Sequence, residues 1–210
     1  MNPVLITLLV GFSYIVIFGG LSLFRREGLS FRFATESAAI TVIAAAFSAL
    51  TGLPLHPVLF LVVLYIISMR VRILVDLGTI FARRGQFNQA DRLFALASRL
   101  WPDEISRLIV QLNQATSLLQ QGNLDTAIAM YRDLLEQAEG RLSAKHEAAA
   151  HYNLGVAYLR KGMDAPATVE FNAVIDTWPA SPYARYAEAA LERRRRKGTS
   201  ISQAKKHNEH

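Results

Sequence analysis

Residues able to perform covalent or redox chemistry are scarce in this sequence. Its 210 residues include no cysteine, which excludes disulfides, thiolate zinc sites, iron–sulfur clusters and cysteine nucleophiles. It contains no glycine-rich phosphate-binding motif and no nucleophile elbow. His146 and His151 are five positions apart, a spacing that does not put two metal ligands on one helix face. We therefore predict a protein with no enzymatic activity, no cofactor, no metal and no small-molecule substrate.

One carboxylate, Glu36, stands at the start of an apolar run and allows two interpretations. An acidic side chain within a membrane span is usually functional, because burying its charge is costly. The alternative is a place in the first helical turn at the membrane surface, after an N-cap at Thr35. Arg25, Arg26 and Arg32 precede it closely. Their position favours the interfacial interpretation, so we expect Glu36 to have a structural role.

The amino-acid composition separates a membrane part from a water-soluble part. Hydrophobic residues make up 51% and charged residues only 19% of the chain, too apolar a balance for an ordinary soluble domain. The formal charge of +6 divides into +4 for residues 1–84, −3 for 85–184 and +5 for 185–210. A nucleic-acid-binding domain carries its basic residues on the folded body, so this distribution argues against a nucleic-acid partner.

Three apolar segments are predicted to span a membrane, since about 20 apolar residues cross a hydrocarbon core as a helix. They lie at about residues 3–24, 34–53 and 57–75. The first is predicted to be a retained span rather than a signal peptide, because Arg25-Arg26 follows it where a cleavage site would stand. Between Pro57 and Arg84 only Gly78 is a helix-breaking residue, so the third span is predicted to continue unbroken into the next helix.

The distribution of basic residues around these segments predicts their orientation. The N-terminus and the turn at residues 52–57 carry no Lys or Arg. The other connecting loop and the exit of the third span carry Arg25, Arg26, Arg32, Arg70, Arg72, Arg83 and Arg84. The positive-inside rule then predicts a multi-pass membrane protein with its N-terminus outside and its C-terminal half in the cytoplasm.

A pattern in the C-terminal half recurs at identical internal spacing. The first copy consists of Leu77, Gly78, Phe81, Gly85, Ala90, Phe94, Ala97 and Pro102. The second copy, 77 residues later, consists of Leu154, Gly155, Tyr158, Gly162, Ala167, Phe171, Val174 and Pro179. A degenerate middle copy consists of Ala115, Leu118, Gly122, Ala127, Tyr131 and Leu134. Such repetition predicts consecutive copies of one structural unit that pack on each other.

This pattern resembles the tetratricopeptide repeat, in which Leu-Gly, an aromatic, a turn Gly, Ala, a second aromatic, Ala and Pro recur over about 34 residues. The resemblance covers about residues 71–182 and identifies the chain as a membrane-anchored, bacterial-type member of that family. It implies an all-α fold, in which transmembrane helices precede a short α-solenoid of about three helical hairpins and a closing helix. We accordingly expect a membrane domain over residues 1–70, a repeat domain over 71–196 and a disordered basic tail over 197–210.

Five glycines of the pattern have predicted structural roles. Gly78 and Gly155 would let the two helices of a hairpin approach closely. Gly85, Gly122 and Gly162 stand where the first helix of each hairpin must end, in positions suited to a left-handed C-cap.

The resemblance also implies a concave groove, built from the first helix of each hairpin, as the site for a partner. Its predicted lining comprises Val75, Thr79, Arg83, Leu112, Thr116, Leu119, Tyr152, Val156, Leu159 and Arg160. Because this set is mostly apolar, we expect it to bind an apolar helix or an extended segment. Two groups of arginines are predicted to contact the lipid bilayer, namely Arg70, Arg72, Arg193, Arg194, Arg195 and Arg196. For the second group, a solvated helix end is the alternative.

These features indicate a non-enzymatic, membrane-anchored scaffold that recruits or helps assemble a protein partner at the cytoplasmic face of a bacterial inner membrane. We expect that partner to be membrane-bound, because no linker separates the repeats from the third span. One alternative is a permanent accessory subunit of a respiratory or photosynthetic complex, docked through the alanine-rich second span. The other is a transporter or a component of a membrane enzyme, which the lack of a polar pathway disfavours.

Overall fold

The computed structural model describes the backbone of residues 2–24 and 31–207, with side chains over residues 2–21 and 31–196. Within these ranges the chain forms ten α-helices and no strand, which confirms the all-α prediction. The helices are α1 (Pro3–Phe24), α2 (Phe31–Thr51), α3 (Pro57–Ser68), α4 (Arg70–Arg83), α5 (Phe87–Arg99), α6 (Glu104–Gln121), α7 (Leu124–Ala138), α8 (Ala144–Arg160), α9 (Asp164–Thr177) and α10 (Pro182–His207).

The helices α1 and α2 are long and apolar enough, by length and composition, to cross a membrane. The number of such spans becomes three if α3 and α4 are counted as one bent span. A small-residue face of α2 packs on α1, where a Cβ atom at Gly11 would clash with Thr41. Ser37, Ala45 and Ser48 are buried on the same face of α2. These small side chains let α2 pack closely against α1.

The start of α2 differs from the prediction. The helix begins at Phe31, so Thr35 lies inside it and donates its hydroxyl proton to the carbonyl of Arg32 at 3.0 Å rather than capping the helix. Glu36 is therefore in the second turn, where it accepts a hydrogen bond of 2.6 Å from Nε of Arg32. This pair at i and i+4 stabilises the extra turn, which an N-cap preference alone does not foresee.

A sharp bend at Met69 separates α3 from α4. The two helices are bent by 72° at this residue, so the prediction of one continuous helix over residues 57–84 was wrong. Met69 has φ −103° and ψ 13°, whereas an α-helix requires ψ near about −42°. The chain thus turns here although residues 58–77 contain neither Pro nor Gly.

Side-chain hydrogen bonds account for the bend. Ser68 donates its hydroxyl proton to the carbonyl of Leu64 at 2.7 Å, a back-bonding that bends helices. Arg70 donates from Nη1 to the carbonyl of Ile67 at 2.9 Å. The guanidinium thus bonds a carbonyl of the last turn of α3, where carbonyl groups run out of helical partners.

The chain divides into two compact units, Met1–Val110 and Gln111–His210, with the division inside α6. The first unit contains the apolar helices together with the hairpin of α4 and α5. This division differs from the predicted domain boundary after residue 70, because Ile73 of α4 packs against a cluster built mainly by the first three helices. The cluster consists of Tyr14, Phe33, Phe60, Leu64 and Met69.

The second unit contains the remainder of α6 and the helices α7 to α10. Ser181 begins α10 as an N-cap, accepting a hydrogen bond of 2.9 Å from the backbone N–H of Ala184, and Pro182 follows at the first helical position. Ala184 and Ala187 are fully buried. The predicted closing helix at residues 182–196 is confirmed.

The closing helix continues beyond its predicted end. Its backbone stays helical to His207, so the prediction of disorder was wrong for residues 197–207. Gly198 is the one strong helix-breaking residue there, and a single glycine costs a helix only about 1 kcal/mol. The rest of the predicted tail, residues 208–210, lies outside the described residues.

Candidate partner surface and interfacial arginines

Each outer hairpin brings a glycine against an aromatic ring. A Cβ atom at Gly78 would lie 2.5 Å from Cε1 of Phe94, and one at Gly155 would lie 2.8 Å from Cε1 of Phe171. Both phenylalanines are fully buried. The predicted close approach of the two helices is confirmed, and the ring of the second helix occupies the space that a side chain would need.

The first helix of each hairpin ends in the same hydrogen-bonded turn. Gly85, Gly122 and Gly162 have φ of 73°, 87° and 75°. In the first hairpin, the N–H of Gly85 donates to the carbonyl of Ala82 at 2.9 Å, and the N–H of Gln86 donates to the carbonyl of Phe81 at 2.9 Å. This pair of bonds defines a Schellman motif. The other two glycines have the same pair, which confirms the predicted left-handed C-caps.

A buried polar cluster replaces the glycine contact in the middle hairpin. Tyr131, the aromatic residue of that copy, is fully buried, and its hydroxyl lies 2.9 Å from Oγ1 of Thr116. Thr116 donates its own proton to the carbonyl of Leu112 at 2.8 Å, so Tyr131 is the donor between the two hydroxyls. Asn153 also donates to Thr116, at 3.3 Å. Burial raises the pKa of Tyr131 well above its usual range.

Three of the ten predicted groove residues belong to the hydrophobic interior. Val75, Leu112 and Leu119 are only 4–5% exposed, so these positions are corrected from partner surface to core. Val75 packs in the cluster of α4 and α5 that contains Phe94. These side chains are apolar, as expected for the floor of a groove, but they are buried in contacts between helices.

Two other predicted groove residues lie on α4 and are accessible. Thr79 is half-buried and donates its hydroxyl proton to the carbonyl of Val75 at 2.9 Å. Arg83 is exposed in the last turn of the helix. These two positions remain predicted contact residues.

The predicted residues of α8 form an accessible strip along that helix. Tyr152, Val156 and Leu159 are half-buried, and Arg160 is exposed. Their spacing of four, seven and eight residues from Tyr152 puts them on one helix face. We call these four residues the α8 surface. Arg160 donates from Nη1 to the carbonyl of Leu119 at 2.5 Å, so the guanidinium bonds the last turn of α6.

Tyr152 is also part of an aromatic cluster. Its ring centroid lies 5.9 Å from that of Phe171, 5.7 Å from Tyr183 and 6.1 Å from Tyr186. Tyr186 is 59% exposed, so the cluster extends to the surface. Burial raises the pKa of Tyr152, and the nearby Arg193 opposes that rise. The α8 surface is thus continuous with an exposed aromatic side chain of the closing helix.

The predicted lipid-contacting arginines of α10 differ from one another. Arg194 bonds Asp164 of α9 at 3.2 Å and is therefore used within the fold. Arg196 bonds Glu192 at 2.5 Å, and this hydrogen bond lowers the pKa of the glutamate. Arg193 and Arg195 are exposed. The alternative of a solvated helix end fits Arg196 as well as lipid contact does, so the role of this run stays a prediction.

The arginines near the bend at Met69 also differ. Arg72 is exposed on α4. Arg70 instead donates from Nη1 to Oε2 of Glu36 at 2.7 Å and from Nη2 to Oε1 at 3.2 Å. It donates further from Nε to the carbonyl of Leu100 at 3.3 Å. Sequence reasoning did not foresee this network, because its members are 30 and 34 residues apart and no local signal connects them.

Two histidines that sequence analysis weighed as metal ligands take part in other interactions. Nδ1 of His151 lies 2.8 Å from Oε2 of Glu170, which joins α8 to α9. Nδ1 of His146 lies 2.8 Å from the hydroxyl of Ser143, the residue before α8.

Antiparallel helix pairs with a glycine opposite an aromatic ring and a Schellman turn between the helices define a helical-repeat protein. Residues 106–177 match the family model described as Tetratricopeptide repeat, which supports the predicted repeat fold. The match covers the two hairpins α6–α7 and α8–α9. It includes the middle copy, in which the sequence pattern is degenerate. The hairpin of α4 and α5 lies before it but has the same glycine contact and turn. No curated protein and no solved structure matches the chain.

Proposed function

We propose that this chain is a non-enzymatic, membrane-anchored scaffold that recruits or helps assemble a protein partner at the cytoplasmic face of a membrane. The observation that carries the proposal is the content of the first compact unit, in which two helices apolar enough to span a membrane belong together with a repeat hairpin. Tetratricopeptide repeats are protein-interaction modules with extended binding surfaces. A repeat held this closely to apolar helices suits a partner that is itself membrane-bound.

The α8 surface is our proposed contact site for that partner. It presents Tyr152, Val156 and Leu159 in a strip with one cation, Arg160, at its end. An apolar helix or extended segment could cover the three uncharged side chains and bring a carboxylate or a carbonyl to the arginine. An aromatic residue and an arginine in one surface are the residue types that dominate binding energy at interfaces.

Site-specific photo-crosslinking in intact cells tests this site. A photoreactive phenylalanine analogue replaces Val156 on the α8 surface, or Val169 on α9 as the matched control. Val169 is 65% exposed, so random collisions favour the control position. We expect one discrete crosslinked membrane protein from position 156 and none from position 169. Equal products from both positions, or products from 169 alone, would contradict the proposed surface.

The same experiment distinguishes an accessory subunit from a recruiting scaffold. A third analogue at Ala46, an exposed small residue of α2, probes the apolar helices. If Ala46 crosslinks in fixed stoichiometry to a complex that survives mild detergent while Val156 yields nothing, the chain is a permanent subunit held by its spans. We expect the opposite, with the product forming at Val156.

A further inference from the structure

Trp101, in the loop between α5 and α6, has an unusual backbone conformation. Its φ is 47°, in the left-handed region that bulky side chains rarely adopt. Its side chain is also 78% exposed, a high value for a large hydrophobic residue. Strain that persists at an exposed aromatic residue suggests that the position of the ring has a use.

The chain contains its own comparison for this residue. Trp178 stands 77 positions later, at the equivalent place in the repeat pattern, and each tryptophan precedes a proline, Pro102 or Pro179. Trp178 instead has a negative φ of −152°, with ψ 80°, and is partly buried. The repeat by itself therefore does not require the conformation or the exposure of Trp101.

Hydrogen bonds hold the loop of Trp101 against the start of α2. Arg70 donates to the carbonyl of Leu100, the residue before Trp101, at 3.3 Å. The same guanidinium bonds both carboxylate oxygens of Glu36 on α2, at 2.7 and 3.2 Å. Adjacent Cα atoms are about 3.8 Å apart, so the backbone of Trp101 lies one residue from this network.

The depth of the network follows from the position of the charged residues on α2. Arg32 and Glu36 are four residues apart and therefore about 6 Å apart along the helix axis. A headgroup layer is about 5–8 Å thick on each side of a hydrocarbon core. Since the apolar part of α2 begins at Ser37, a membrane crossed by this helix places Arg32, Glu36 and Arg70 in one headgroup layer.

We propose that Trp101 is an interfacial anchor whose indole inserts between the headgroups and acyl chains of the bilayer that α1 and α2 cross. The inference rests on the proposed membrane anchoring. An indole suits that layer, because its ring is apolar and its N–H finds polar partners among the headgroups. Arg99, exposed just before the loop, adds a cation that favours anionic lipid. Two acidic residues follow the loop: Asp103 accepts hydrogen bonds from Ser106 at the start of α6, and Glu104 is exposed in the first turn of that helix.

Tryptophan fluorescence in lipid vesicles tests this anchor. The full chain with Trp178→Phe, in which Trp101 is the sole tryptophan, is reconstituted into vesicles of phosphatidylcholine and phosphatidylglycerol. We expect emission at shorter wavelength than in denaturant, and quenching of more than half of it by lipids brominated near the headgroup end of the acyl chains. Aqueous iodide should quench little. Adding Arg70→Met breaks the network, so quenching by brominated lipid should fall and quenching by iodide should rise.

A second reporter covers the case in which Trp178→Phe impairs folding. Because the chain has no cysteine, Trp101→Cys gives a single site for an environment-sensitive fluorophore. We expect its emission to shift to shorter wavelength on reconstitution, whereas a label at the exposed Arg84 should report water.

The outcomes separate this inference from the proposed function. A protein that resists alkaline carbonate extraction, but whose residue 101 is quenched by iodide and not by brominated lipid, overturns the anchor and leaves the membrane scaffold standing. Protection from both quenchers means a protein pocket and also overturns the anchor. Unchanged lipid quenching in the Arg70→Met variant refutes the holding role of Arg70. A chain that does not float with vesicles at all overturns the membrane scaffold itself.

Discussion

Single residues determine how closely the helices of a hairpin pack. Gly155 leaves space that the ring of Phe171 fills, and Gly78 does the same for Phe94. The space is small, because the nearest ring atoms would be 2.5–2.8 Å from an added Cβ. A methyl group at either glycine must therefore displace a ring that is fully buried among its neighbours.

We expect Gly155→Ala to lower the free energy of unfolding of the second unit by about 1–3 kcal/mol, the usual cost of overpacking a core. The gain in helix propensity, at most about 1 kcal/mol, offsets part of this. Urea unfolding in mild detergent, followed by circular dichroism, measures the change. Gly19→Ala is the matched control, since a Cβ atom there meets nothing within 4 Å. Equal effects of the two substitutions would contradict the role assigned to Phe171.

The hydroxyl of Tyr131 makes stability depend on alkaline pH. Burial raises its pKa in the folded protein above the unfolded value of about 10. Above that pH the unfolded chain loses a proton that the folded chain keeps, so stability falls by up to about 1.4 kcal/mol per pH unit.

Replacing Tyr131 by Phe should therefore have opposite effects at two pH values. At pH 8 the variant is expected to be less stable by about 1 kcal/mol, because the hydrogen bond to Thr116 is lost. At pH 11 the difference should shrink or reverse, since the variant has no hydroxyl to ionise. Urea unfolding at both pH values measures this, and a difference independent of pH would show that the hydroxyl is not buried in solution.

At the scale of elements, the bend between α3 and α4 decides where the first hairpin lies relative to the apolar helices. The sequence around Met69 is compatible with a straight helix, and the bend depends on contacts from other helices. Tyr14 of α1 contributes one of them, since its hydroxyl lies 2.6 Å from that of Ser68. Arg70 contributes the others through Ile67, Glu36 and Leu100.

Spin labels on cysteines introduced at Leu59 and Ile80 should report the bend in detergent or in vesicles. Both side chains are exposed, and the chain has no other cysteine. A helix bent by 72° at Met69 puts the two backbone positions about 25 Å apart, whereas a straight helix puts them about 31 Å apart. We expect the shorter distance in the parent protein. Arg70→Met should broaden the distribution toward the longer one, with Arg92→Met, at an exposed position of α5, as the control that leaves it unchanged.

On the scale of the whole molecule, the distribution of basic residues along the chain is the basis of the predicted topology. The turn at residues 52–57 has no Lys or Arg, whereas Arg32 and Arg70 meet at the opposite end of α2. Because both arginines bond Glu36, one carboxylate links the start of α2 to the start of α4, two places that the positive-inside rule predicts to be cytoplasmic.

Topology reporters test this arrangement. After Lys197, a reporter that works only in the cytoplasm should be active, and one that works only outside should be inactive. In the turn at residues 52–57 we expect the reverse. Both reporter types are used at both sites, so each site provides the control for the other. The proposed topology has one span between the two reporter sites, so the sites must lie on opposite sides of the membrane. Finding both sites on the same side would contradict it.

The sequence by itself determined the features that depend on local physics. Apolar runs of about 20 residues specify α1 and α2, and the positive φ of Gly85, Gly122 and Gly162 follows from their place after a helical pattern. The close approach of two helices at Gly78 and at Gly155 could likewise be predicted from the sequence, because the pattern repeats with unchanged spacing. Each of these features needs only neighbours within a turn or two, or a partner at a fixed offset.

Tertiary structure alone decided the features that depend on contacts between distant residues. Val75, Leu112 and Leu119 have groove-like positions in the sequence, but whether an apolar side chain faces solvent or core depends on which helices pack on it. The bend at Met69 has neither Pro nor Gly to signal it, and the back-bonding of Ser68 is a weak local cue. Its other contacts come from Arg70, which bonds Glu36 and Leu100, 34 and 30 positions away, and a carbonyl at the end of α3 at the same time.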